Sequence, residues 1–148
     1  MIEETEVDLI VIGTGGNDAF KLTNPSTFHR EVVATITDLR NRFGTDIPIA
    51  FPNMPPIKEF PAFTPLIKAT IGNLVEFHGE QLAKAIKDHP QVYFNEEIIR
   101  LRYWAKALKM EEDPTAFFSD GVHPSGLTYQ VWGDDFAKFL IRQGVGSY

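Results

Sequence analysis

Two short runs in this sequence hold residue types that can do chemistry together. The first is Gly15-Gly16-Asn17-Asp18, directly after the apolar run from Val7 to Gly13. The second is Asp120-Gly121-Val122-His123-Pro124-Ser125. An Asp three residues before a His in a loop can fold back so that its carboxylate accepts the imidazole Nδ1–H. That leaves Nε2 as a base near neutral pH. Pro124 stiffens the backbone beyond the His. An Asn at the end of a strand can offer its side-chain N–H to a developing oxyanion. Taken alone, each run also has a plainer reading: glycines after a strand make turns, and an Asp-x-x-His pair can be an ordinary polar loop.

The elements that must position these runs alternate in type. Val7 to Gly13 reads as a strand buried on both faces, as in the middle of a parallel sheet, with Thr14 to Asp18 a loop at its carboxyl end. Asn24-Pro25 supplies a cap and a first-turn proline. Phe28, Val32, Ile36, Leu39 and Phe43 follow at helical spacing until Gly44. Ile47 to Phe51 is a second strand, and the proline- and aromatic-rich Asn53 to Phe63 cannot be regular helix. A long helix is expected from Pro65, with Ile67, Ile71, Leu74, Leu82 and Ile86 inward, then a strand at Val92 to Phe94. A helix near Tyr103 to Lys109 and a loop from Glu111 to Pro124 come next. The last helix, Gly126 to Arg142, is capped by Ser125 and buries Trp132, Phe136, Phe139 and Leu140. The order β-α-β-α-β-α predicts one α/β domain over residues 1–148, with parallel strands and right-handed crossovers. Sites in such sheets lie beyond the carboxyl ends of the strands, which points to Gly15 through Asp18.

Composition narrows the function. The 148 residues are 43% apolar and 23% charged, enough for one packed core. A net charge of −6 argues against a nucleic-acid groove. There is no cysteine for thiolate or disulfide chemistry. The acidic start lacks the regions of a signal peptide, no apolar run approaches the roughly 20 residues that span a bilayer, and the compartment stays open. His29, His78 and His89 are scattered and read as solvated or core-edge. Tyr103, Trp104 and Trp132 read as core, and Glu111-Glu112-Asp113 as a solvated loop. Phe51, Phe60 and Phe63 follow a strand end and are candidates to line a binding pocket. A phosphate cradle at the glycines would call for Gly-x-Gly-x-x-Gly or a following Lys-Ser/Thr, and neither is present.

Gly15-x-Asn17-Asp18 resembles the third sequence block of the SGNH-type, GDSL-like serine ester hydrolases. Asp120-x-x-His123-Pro124 resembles their fifth. Asn53 to Leu66, with Pro55, Phe60, Pro61 and Pro65, is similar to the arm between these blocks in one bacterial esterase branch. The resemblance runs from about Val7 to Leu140. It implies a three-layer αβα, flavodoxin-like fold and transfer of an acyl group from a small-molecule ester to water through an acyl-serine. It also implies His123 as general base, Asp120 as its orienting partner and Asn17 as oxyanion donor. Gly15, Phe51 and Phe60 would be substrate contacts, and no cofactor or metal is called for.

The family's Gly-Asp-Ser block is not found, since Ser26, Ser119, Ser125 and Ser147 all lie in other contexts. In the family's strand order, Val7 to Gly13 would be the third strand, so two strands and a helix are expected upstream. One edge of this apolar strand would then lie bare. The expectation is a complementing N-terminal segment that brings the nucleophile, or self-association through Val7 to Gly13. The alternatives are a non-catalytic hydrolase-like module that binds a partner or acyl ligand, and a nucleotide-binding flavodoxin-like domain.

Overall fold

Three parallel strands form the centre of the computed structural model, which describes residues 7–109 and 114–146. They are β1 (Ile10–Val11), β2 (Ile49–Phe51) and β3 (Val92–Phe94), in the order β1-β2-β3, with Ile10 opposite Ile49 and Ile49 opposite Val92. Helix α1 (Gly16–Phe20) follows β1, and α2 (Pro25–Phe43) crosses over to β2. Helix α3 (Pro65–Ile86) crosses to β3, after which come α4 (Leu101–Ala107) and α5 (Gly126–Arg142).

The layers follow from the alternation of side chains along each strand. On one face, Ile49, Phe51, Val92 and Phe94 pack against Phe28, Val32 and Ile36 of α2 and Leu82 and Ala85 of α3. On the other, Ala50 meets Phe136 and Phe139 of α5, with Leu9, Tyr93 and Leu140 around them. The result is a three-layer αβα arrangement, with the parallel strands that the element order predicts. A separate apolar cluster joins Ile57 and Phe60 to Val75, Ile99, Leu101, Ala105, Phe117 and Phe118.

Local chemistry explains the helix ends. Asn24 Oδ1 accepts the Ser26 N–H at 2.9 Å ahead of Pro25, and Gly44 ends α2 with φ at 83°. Arg40, near that end, donates to the carbonyls of Pro90 at 2.8 Å and Gln91 at 3.1 Å, tying α2 to the entry of β3. Thr64 and Ser125 cap α3 and α5. No helix among the described residues is long and apolar enough to cross a membrane.

Several expectations are corrected. Val7 to Gly13 is not a strand buried on both faces: only Ile10 and Val11 are strand, and Val11 is 52% exposed. Ile10 and Ile12 donate N–H groups to Pro48 and Ala50, so the intervening Val11 backbone points away from the sheet. That outer edge is unpaired among the described residues. Residues 16–20 are helix, not loop. On α3, Leu82 is buried and Ile71, Leu74 and Ile86 pack against the cores as expected, while Ile67 is exposed and Gly72, Val75, His78 and Ala85 join the buried side. Helix α4 starts two residues before Tyr103, whose ring is exposed rather than core. His78 is fully buried, not at a core edge. Glu111-Glu112-Asp113 and Ser147 lie outside the described residues.

Candidate active site

The loop before α5 closes on itself. Phe118 bridges Pro124 in antiparallel fashion, Ser119 N–H donates to the His123 carbonyl at 2.9 Å, and Ser125 N–H donates to the Phe117 carbonyl at 2.9 Å. Asp120 and His123 sit at the tip. One carboxylate oxygen of Asp120, Oδ1, accepts the N–H groups of His123 at 2.7 Å and Val122 at 3.0 Å. The other, Oδ2, lies 2.7 Å from His123 Nδ1. A carboxylate only accepts, so the Nδ1 proton faces Asp120 and Nε2 points away from it. The donors, with the backbone N–H of His123 foremost, lower the Asp120 pKa from 3.8 to about 2. The His123 side chain is 74% exposed, so a reacting group can reach it.

The loop rests on the irregular segment before α3. Ala62 N–H donates to the Gly121 carbonyl at 3.3 Å. Gly121 has φ at 85°, and a Cβ there would stand 3.0 Å from that of Ala62. A glycine at this turn therefore satisfies both the left-handed backbone and the close approach.

Asn17 occupies the first turn of α1 with its side chain exposed. Asp18 Oδ2 fixes the turn by accepting the Gly15 N–H at 3.0 Å and the Thr14 hydroxyl at 3.2 Å. Gly15, with φ at 91°, is buried beneath Met54, whose Sδ would stand 2.4 Å from any Cβ placed there. The backbone that presents Asn17 is thus held from below, while the amide faces solvent.

A series of rings connects the two halves. Phe20 at the end of α1 meets Phe63 edge-on with centroids 5.7 Å apart. Phe63 meets Phe60 at 5.3 Å, and Phe60 meets Phe118, at the base of the His123 loop, at 4.9 Å. Phe60 is buried as a link in this series, and Phe51 is buried between the sheet and the α2–α3 layer.

The serines serve other ends. Ser125 Oγ donates to the Ala116 carbonyl at 2.9 Å and accepts the Thr128 N–H at 3.3 Å, capping α5. Ser119 Oγ donates to the His123 carbonyl at 3.2 Å. Ser26 lies in the first turn of α2. A cleft of about 300 Å³ opens elsewhere, between residues 54–59, α3 and residues 94–100, and Asn17, Asp120 and His123 are not among its lining residues. It holds several glutamates but no base–acid pair like that of the loop, so its size does not make it the better candidate.

Sequence reasoning passed over a buried amide network at the carboxyl ends of β2 and β3. Asn95 Nδ2 donates to Asn53 Oδ1 at 3.1 Å, Trp132 Nε1 of α5 donates to the same oxygen at 3.3 Å, and Asn53 Nδ2 donates to the Glu97 carbonyl at 2.8 Å. The signal was present: each Asn follows a strand end, the same position that drew attention to Asn17.

Residues 3–136 match the family model of GDSL-like lipases and acylhydrolases. No curated protein and no solved structure matches the chain at a significant level.

Proposed function

This chain belongs to the GDSL-like lipase/acylhydrolase family, and from that premise we propose that it is the base-bearing part of a carboxylic ester hydrolase. The observation that carries the reading is the 2.7 Å contact of Asp120 Oδ2 with His123 Nδ1, on a loop that leaves the ring exposed. His123 Nε2 takes the proton of a serine hydroxyl as its oxygen attacks the ester carbonyl. The side-chain N–H of Asn17 donates to the oxyanion of the tetrahedral intermediate. His123 returns the proton to the departing alcohol. It then activates a water that releases the acid from the acyl-serine.

The serine is proposed to come from polypeptide beyond these residues, as a strand laid along the bare edge of β1. Support comes from the outward-facing backbone of Val11 and from the structural bonds of Ser119 and Ser125. Hydrolysis of p-nitrophenyl esters tests this, with the chain assayed alone, with a Gly-Asp-Ser-bearing N-terminal fragment, and as His123→Ala. Turnover that requires both the fragment and His123 is expected. Turnover by the chain alone, lost in His123→Ala, would place the nucleophile within it.

The structural engagement of those same serines favours a second reading, a non-catalytic hydrolase-like module that binds a partner or an acyl ligand. Under that reading no fragment restores turnover.

A further inference from the structure

Helix α1 is five residues long, and nucleating a helical turn fixes about six dihedral angles for a single hydrogen bond. Such a piece needs support from outside. His78, fully buried in the middle of α3, faces both of its ends. Its Nε2 lies 2.9 Å from the carbonyl oxygen of Thr23, just past the exit of α1. Its Nδ1 lies 3.4 Å from the carbonyl oxygen of Gly15, at the entry.

The chemistry of the two contacts sets the tautomer. Carbonyl oxygens only accept, so the 2.9 Å contact places a proton on Nε2. The Gly15 oxygen already accepts the Ala19 N–H at 3.1 Å and stands at longer range from the ring. Thr23 is different. Leu22 adopts a left-handed φ of 55°, Thr23 N–H returns to the Asp18 carbonyl at 2.9 Å, and the Thr23 carbonyl turns toward the ring. A carbonyl turned inward in this way calls for a donor, and Nε2–H is placed to supply it. Phe28 holds the ring by stacking at 4.4 Å between centroids.

We propose that His78 is the positioning residue of the oxyanion side. As the Nε2–H tautomer it staples the exit of α1 to α3, fixing the arc from Gly15 to Thr23 and with it the direction of Asn17. The inference rests on the reading of Asn17 as oxyanion donor, but its test does not require turnover.

The experiment is NMR on the full chain and two variants. Long-range ¹⁵N–¹H spectra of His78 should show a protected Nε2–H and an unprotonated Nδ1. His78→Phe keeps a ring to stack on Phe28 but has no donor. In it, the Leu22 and Thr23 amides should exchange about tenfold faster and the Asn17 side-chain amide should shift, with α2 and β2 unchanged. His78→Gln, whose amide nitrogen can take the place of Nε2, should restore protection. An Nδ1–H tautomer, unchanged exchange in the α1 arc of His78→Phe, or failure of His78→Gln to restore protection would overturn the proposal. So would equal acceleration in α2 and β2, which would reduce His78 to core packing. Should His78→Phe not fold, the tautomer and the His78→Gln exchange still decide it. A normal turnover in Asn17→Ala would instead defeat the reading of Asn17 and leave these results standing.

Discussion

The Nδ1 of His123 and the Oδ2 of Asp120 lie 2.7 Å apart, while the other oxygen of the same carboxylate accepts the backbone N–H groups of Val122 and His123. A single side chain therefore sets the tautomer of the ring and shapes the turn that carries it. Replacement by an amide leaves one acceptor where there were two, so Asp120→Asn sacrifices either the ring or the turn. In the fragment-complemented protein, Asp120→Asn is expected to lower kcat by about 10³- to 10⁴-fold with little change in KM. Steady-state ester hydrolysis measures this, and unchanged kcat would remove Asp120 from the mechanism.

The same geometry has a signature in acid. The Asp120 pKa is depressed from 3.8 to about 2, foremost by the His123 backbone N–H and then by the imidazole and the Val122 N–H. A depressed carboxyl contributes stability that is complete above its ordinary value and is lost as pH falls through the folded-state value. The Val122 and His123 amide shifts should therefore hold steady on acidification past pH 3.8 and move only as about pH 2 is approached. Asp120→Asn should abolish the step. An NMR titration that placed the step at the ordinary carboxylate value would contradict the geometry.

Asn17→Ala tests the proposed oxyanion donor. Loss of one oxyanion donor costs about 10²- to 10³-fold in turnover, so kcat should drop by that factor while KM stays near the parent value. If KM rises and kcat holds, Asn17 contacts the substrate without acting on the oxyanion.

The amide network predicts a change in stability. Asn53→Leu removes the acceptor shared by Asn95 Nδ2 and Trp132 Nε1, as well as the donor to the Glu97 carbonyl. Buried groups left without partners cost about 1–3 kcal/mol. At about 2–4 °C per kcal/mol for a chain of this size, the Tm should fall by several degrees. Calorimetry showing an unchanged Tm would mean that water fills the vacated positions.

Much of this was written locally in the sequence. Asn24-Pro25 and Gly44 bound a helix by capping chemistry that needs no neighbour, and Ser125 starts α5 by the same means. Asp120 and His123 were readable as a pair because three residues of spacing bring them together without help from the fold. What stayed hidden depended on contacts between distant segments. Most apolar positions of α3 do pack inward, but Ile67 lies exposed at its first turn and His78 is buried by contacts with Gly15, Thr23 and Phe28 that lie far away in sequence. Val11 looked like the centre of a sheet because apolarity records what a strand is suited to pair with, while its exposure depends on which strands lie beside it. Tyr103 sits on the outer side of a short helix whose phase, set by Ile99, Leu101 and Ala105, no single motif announces.

Phe20, Phe63, Phe60 and Phe118 stand in series between the helix of Asn17 and the loop of His123. Phe60 and Phe118 are buried and resist separation as core rings do, while Phe20 at the outer end is 46% exposed. The row therefore links the helix that carries Asn17 to the loop that carries His123 through ring contacts. Removing the buried Phe60 would break that link at its centre, leaving the Ala62–Gly121 backbone hydrogen bond as the tie between this segment and the His123 loop.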